Sequence, residues 1–167
     1  MKESIEKHAS KSTKVKFELE INAPVTSVFE LLTTNAGLVQ WFDELEVGEP
    51  GPSGHLLFVM TPEEKITMPI LSWETNRILS FEWDDDNVTF ELSESAENKT
   101  LVTFTEQLQT ITDHTPRDVA GWHICLKKLQ AIAKGNKCDF DKMEFETLFL
   151  KYQKGLNAEK QIDIIKL

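Results

Sequence analysis

A chain of 167 residues with a net charge of −10 and two cysteines is bounded before any motif is read. The length suits one domain with an appendage, and a domain of ~150 residues buries roughly 70% of its unfolded surface, so a core forms without staples. Two cysteines make no disulfide framework, and the acid excess disfavours both nucleic acid, which needs a basic footprint, and anionic membrane surfaces.

Residues Met1 to Lys14 are polar and lysine-rich. They carry no apolar run of the signal-peptide kind, and nowhere do ~18 consecutive apolar residues offer a bilayer span. A cytoplasmic location is expected, which makes the sequons Asn87-Val88-Thr89 and Asn98-Lys99-Thr100 chance matches. Residues 1–13 are read as a flexible arm.

From residue 15 the chain alternates. Val15, Phe17, Leu19 and Ile21 point one way and Lys16, Glu18, Glu20 and Asn22 the other, the signature of a half-buried strand. Pro24 opens a helix with Val25, Val28, Phe29 and Leu32 at steps of three and four. A second short helix from about Asn35 carries Leu38, Trp41 and Phe42, and Gly48 to Gly54 is a loop. Five further strands are expected over roughly 55–60, 64–73, 77–83, 87–93 and 100–109, with a sixth near 44–47 left open. Pro69 cannot donate to a ladder, so an edge position or a bulge is expected there. No connection is long enough for a crossover helix, so the strands should form an antiparallel meander. The densest acid, Glu82 to Glu97, holds no Lys or Arg and reads as a solvated turn and sheet face, with attraction of a basic partner as the alternative.

A long helix from Pro116 to Lys134 follows. Thr115 is a capping hydroxyl, Pro116 suits the first position and Gly135 the stop. Val119, Trp122, Leu126, Leu129 and Ala133 fall on one face. Cys125 flanks that face as a buried thiol; His123 is placed beside it as a partly exposed side chain, with Ile124, Ala120 and Ala131 opposite. A last helix is capped by Asp141 with Glu144, and Phe145, Leu148, Phe149, Tyr152 and Leu156 form its stripe. Residues 136–167 are thus a helical extension that packs on the domain or on a second subunit.

The residues that carry a likeness are Ala23-Pro24-x-x-x-Val28-Phe29-Glu30-Leu31-Leu32-Thr33 with Leu38-x-x-Trp41-Phe42. They resemble the opening of the START-like helix-grip (SRPBCC) superfamily, which includes lipid-transfer domains, pollen allergens and polyketide cyclases. Thr100-Leu101-Val102-Thr103-Phe104-Thr105-Glu106 and Gly121-Trp122-x-x-x-Leu126-x-x-Leu129 are similar to the branch homologous to the C-terminal domain of the activator of the 90-kDa heat-shock chaperone's ATPase. The resemblance spans roughly residues 14–135. It implies an α+β helix-grip domain, a curved antiparallel sheet of about six to seven strands on a long helix, with a hydrophobic cavity between them and no fixed catalytic set. A chaperone partner is implied by analogy only.

No spacing for a metal, a phosphate loop or a nucleophile elbow occurs, and no cofactor is expected. The favoured function is non-enzymatic binding of a small apolar or amphipathic ligand, with Trp41, Phe58, Met60, Met68, Trp83, Glu106 and Trp122 as cavity candidates. Glu106 shares the inward face of Val102, Phe104 and Leu108. Either it is a polar group in the cavity, with its pKa raised by burial, or its strand end is solvated. Met60, Met68, Trp41, Trp83 and Trp122 are equally readable as core filling. Two alternatives stay open: a cyclase or hydratase using Glu106 as acid/base with His123 as its partner, and an interaction module, either a chaperone regulator or a homodimer.

Overall fold

A computed structural model describes residues 1–7 and 12–165, with side chains as far as Leu156. The period-two run beginning at residue 15 forms strand β2 (Thr13–Ile21), and its four apolar side chains are buried to 1% exposure or less. Helices α1 (Val25–Thr33) and α2 (Asn35–Leu38) follow, then strands β3 (Leu45–Glu49), β4 (His55–Thr61), β5 (Glu64–Glu74), β6 (Ile78–Trp83), β7 (Asp86–Ala96) and β8 (Lys99–Leu108). With β1 (Lys2–Lys7) they make one antiparallel sheet in the order β1-β2-β8-β7-β6-β5-β4-β3. Helices α3 (Thr115–Ala133) and α4 (Lys142–Ile165) complete the α+β domain.

The sheet has eight strands where six to seven are expected. The added one, β1, falls in the presumed flexible arm: Lys2 pairs with Glu18 and Lys7 with Thr13. Its only bulky apolar residue beyond Met1 is Ile5, so no hydrophobic alternation betrays it. A charged strand of this kind suits a sheet edge. Pro69 lies on an interior strand, at the point where β5 changes partner. Residues Glu64 to Pro69 pair with β4 and Ile70 to Glu74 with β6, with a register irregularity between Ile70 and Ser72. The missing N–H costs little at such a changeover, and irregular register there bends the sheet.

Two smaller expectations also change. α2 ends at Leu38, and Trp41 and Phe42 sit in the turns after it. Thr115 is the first residue of α3, not its cap; its Oγ1 accepts a hydrogen bond from the Thr112 N–H at 2.9 Å.

Val119, Trp122, Leu126 and Leu129 of α3 face the sheet and are essentially inaccessible. Trp122 packs on Phe104 at 4.6 Å between ring centroids, and Phe104 on Phe90 at 5.0 Å. A second face of α3 is buried as well. Ala120 and His123, expected on or near the solvent side, are covered by α4. Asp141 caps α4, its Oδ1 accepting from the N–H groups of Met143 (2.9 Å) and Glu144 (3.3 Å). Tyr152 then packs its ring on Phe17 and His123, with its hydroxyl 2.6 Å from His123 Nδ1. Burial pushes the His123 pKa down and drives the Tyr152 phenol up beyond its ordinary range. The ion pairs Lys127–Glu144 and Lys151–Glu3 join the same elements, but exposed pairs contribute only about 0–1 kcal/mol.

Tyr152 should therefore dominate α4 docking. Urea denaturation is expected to show a loss of about 1–3 kcal/mol for Tyr152→Phe, which strands a buried ring nitrogen, and about 3–5 kcal/mol for Tyr152→Ala. Equal, small losses would mean that α4 is not held by this contact.

Candidate functional site

The sheet and α3 do not stay in contact along the whole helix. Below its middle the space is filled by Trp122, Phe104, Phe90 and Phe17. At its N-terminal end a cavity of about 430 Å³ opens. One wall is apolar, formed by Phe58 and Met60 of β4, Ile66 and Met68 of β5, and Trp83 at the end of β6. The other is polar: Asp84, Asp85 and Asp86 from the β6–β7 hairpin, Thr110, Thr112 and His114 from the loop before α3, and Thr115 and Asp118 from its first turns. Asp84 takes φ 53° at the hairpin tip, a left-handed conformation that aspartate tolerates better than most residues.

A second opening of about 320 Å³ lies alongside and shares Phe58, Trp83, His114 and Asp118. Its remaining wall includes Phe42, Trp122, Cys125, Phe140 and Phe145. Phe42, Phe58, Trp83 and Trp122 meet edge to face or tilted, at 4.8 to 6.3 Å between centroids. The Cys125 thiol is pushed up to about 12 by burial, so it is a poor nucleophile.

Of the seven candidates read from the sequence, Phe58, Met60, Met68 and Trp83 line the first cavity, and Phe58, Trp83 and Trp122 the second. Trp41 lines neither. It is buried against Phe42 and Phe90, with its indole N–H donated to the Leu31 carbonyl at 2.8 Å. Glu106 lines neither surface, yet it is fully buried and both carboxyl oxygens lack a hydrogen-bond partner. Burial pushes its pKa well up, and the carboxylates of Asp118 and Asp86 add to the shift. Asp86 is itself raised, by burial first and then by Asp118, Asp84 and Asp85, although the N–H of Gln109 donates to it at 2.8 Å.

Asp118 is the residue that sequence reasoning passed over. Its Oδ2 accepts the Trp83 indole N–H at 2.9 Å and it stands at the wall of both cavities. The signal was present: Asp118 precedes Trp122 by four residues and so belongs to the helix face that meets the sheet. His123, the expected partner of Glu106, is engaged with Tyr152 instead. Among the described residues no three of His, Cys, Asp and Glu are grouped to hold a metal ion.

A buried acid without a partner makes stability depend on pH in a known direction. With the folded pKa above the unfolded one, the folded state keeps a proton that the unfolded chain releases. Stability is then lost as pH rises through the interval between them, by at most about 1.4 kcal/mol per pH unit. Glu106→Gln should remove that slope: more stable than the parent at neutral pH, and equal to it below the unfolded carboxyl pKa of about 4.3. Denaturation at several pH values checks this, and a gain independent of pH would contradict it.

With the geometry established, the chain can be compared with known proteins. Residues 22–134 match the family described as Activator of Hsp90 ATPase homolog 1-like protein. No curated protein matches the chain. Among solved structures, the conserved protein of unknown function EF2215 from Enterococcus faecalis is 29% identical with a TM-score of 0.85, over 94% of this chain and 91% of that one. CalU16 from Micromonospora echinospora is 17% identical with a TM-score of 0.69, over 94% and 96%. The Aha1 dimer from Colwellia psychrerythraea is 20% identical with a TM-score of 0.60, over 72% and 95%. The last two share the fold alone. Since the family match covers well over half of the residues, the chain belongs to the Activator of Hsp90 ATPase homolog 1-like family.

Proposed function

We propose that this protein binds a small apolar or amphipathic molecule, without converting it, in the cavity between the sheet and the first turns of α3. The observation that carries the reading is an apolar wall of Phe58, Met60, Ile66, Met68 and Trp83 opposite a short polar wall, around about 430 Å³. Ligand sites of about 300–1,000 Å³ have this make-up, a mostly apolar surface with a few converging polar groups. Met60, 55% exposed at the mouth, and Met68, buried at 3%, suit a guest of variable shape because thioether side chains adapt. Trp122 packs on Trp83, which faces the guest, while Trp41 and Glu106 lie outside the lining.

The cyclase or hydratase reading has less to stand on. An acid/base residue must reach the reacting atoms; Asp118 and Asp86 stand near Glu106, but Glu106 lines neither cavity. A chaperone partner rests on family likeness alone, which is weak grounds for function. Self-association has one observation in its favour, the exposed apolar side chains Phe140, Met143 and Leu150 on and before α4, and light scattering decides it.

The binding reading predicts that a neutral apolar dye such as Nile red binds the purified protein. Met68→Trp, which fills the cavity, should weaken the dye at least tenfold, while Leu71→Trp, at an exposed position of β5, should leave it unchanged. Native mass spectrometry of protein from its own host should then show a co-purified small molecule. No dye binding, or equal binding by both variants, would overturn the reading.

A further inference from the structure

The charges around the cavity narrow the ligand class, an argument that rests on the binding reading above. Asp84, Asp85, Asp86 and Asp118 all contribute to its polar wall, and among the lining residues there is no Lys or Arg. Arg117, next to Asp118 in the chain, lines the adjoining opening instead, its guanidinium 4.9 Å from the centroid of the Phe149 ring. His114 is the one basic side chain at the wall.

The acidic wall alone would say little, since acidic turns are commonly just solvated. Glu106 makes the difference. It lies on the inward face of β8, fully buried, in the same cross-strand row as Phe81, Val88 and Val15. Asp118 and Asp86 are the carboxylates that act on it, and neither of its oxygens has a partner. A buried carboxyl is costly, and Glu106 stands near Asp118 and Asp86, both of which line the cavity. Carboxylates therefore outnumber basic groups at this end of the cavity. An anionic headgroup would meet four carboxylates, with only Thr110, Thr112, Thr115 and His114 to donate to it, and a neutral alcohol brings a single donor. A protonated amine brings up to three donors and the opposite charge. The face of Trp83 adds a further attraction for a cation.

We propose that the ligand is an amphipathic amine, with its apolar body against Phe58, Met60, Ile66 and Met68 and its ammonium group at Asp118 and the Asp84–Asp86 turn, backed by Glu106.

Three eight-carbon probes differing only in the headgroup test this by isothermal titration calorimetry at neutral pH: octylamine, 1-octanol and octanoate. Octylamine should bind at least tenfold tighter than 1-octanol, and octanoate more weakly than either. Asp118→Asn and Asp85→Asn should each reduce the amine preference several-fold while leaving 1-octanol binding intact, which also shows that the variants fold. Equal affinity for octylamine and 1-octanol would overturn the amine assignment and leave the binding reading standing. No binding of any probe would overturn both. Amine binding that ignores both substitutions, with backbone amide shifts scattered over the acidic surface, would mean attraction to the net charge and would also overturn the assignment.

Discussion

One hydrogen bond sets the geometry on which the cavity depends. The Trp83 indole N–H donates to Asp118 at 2.9 Å and so ties the first turns of α3 to the end of β6 through a large ring standing between them. One turn further on, Trp122 lies against Phe104 and Trp83, and beyond it Leu126 and Leu129 are fully buried. The start of the helix is thus propped by the Trp83 ring. Space at the propped end follows from the size of the aromatic side chains, because close-packed interiors leave few voids unless a rigid group holds the walls apart.

Stability and function pull in opposite directions at Glu106. Its inward neighbours along β8 are Val102, Phe104 and Leu108, all buried, and an apolar residue in their company would remove a desolvation penalty. The cost is concentrated where Asp86 and Asp118 also converge, beside the cavity at the start of α3. Perturbed acids in clefts are characteristic of functional sites. At the far side of the domain the buried polar pair His123–Tyr152 is mutually satisfied, and it serves to hold α4 on the domain.

How much of this was legible in the sequence depended on whether a residue's role was local. The alternation through Val15, Phe17, Leu19 and Ile21, the steps of three and four in α1 and α3, and the Asp141 cap are set by neighbours in the chain, and they appear where expected. Strand β1 did not announce itself because a charged edge strand is stabilised by backbone pairing and carries no apolar period. His123 and Ala120 were misplaced because α4 docks over that side of α3, closing His123 between Tyr152 and Phe17, and helix-on-helix docking leaves no mark in the periodicity of one helix. Among the cavity candidates, Phe58, Met60, Met68 and Trp83 lie on strand faces that the meander brings together. The acidic turn is solvated as expected, with Asp84 and Asp85 exposed, but nothing local reveals that a helix end stands beside it. Asp118 escaped notice because an acid in the first turn of a helix is ordinary, and its place on the face toward Trp83 shows only in the fold.

The account stands or falls on the propped end of α3 being open to an apolar guest. The four methionines report on it directly, since Met60 and Met68 line the cavity while Met1 and Met143 are exposed elsewhere. With methyl-labelled methionine, NMR spectra recorded in plain and in toluene-saturated buffer should show the Met60 and Met68 methyl signals moving and those of Met1 and Met143 staying in place. Four unmoved signals, or a Met143 signal that moves as far as that of Met68, would contradict it.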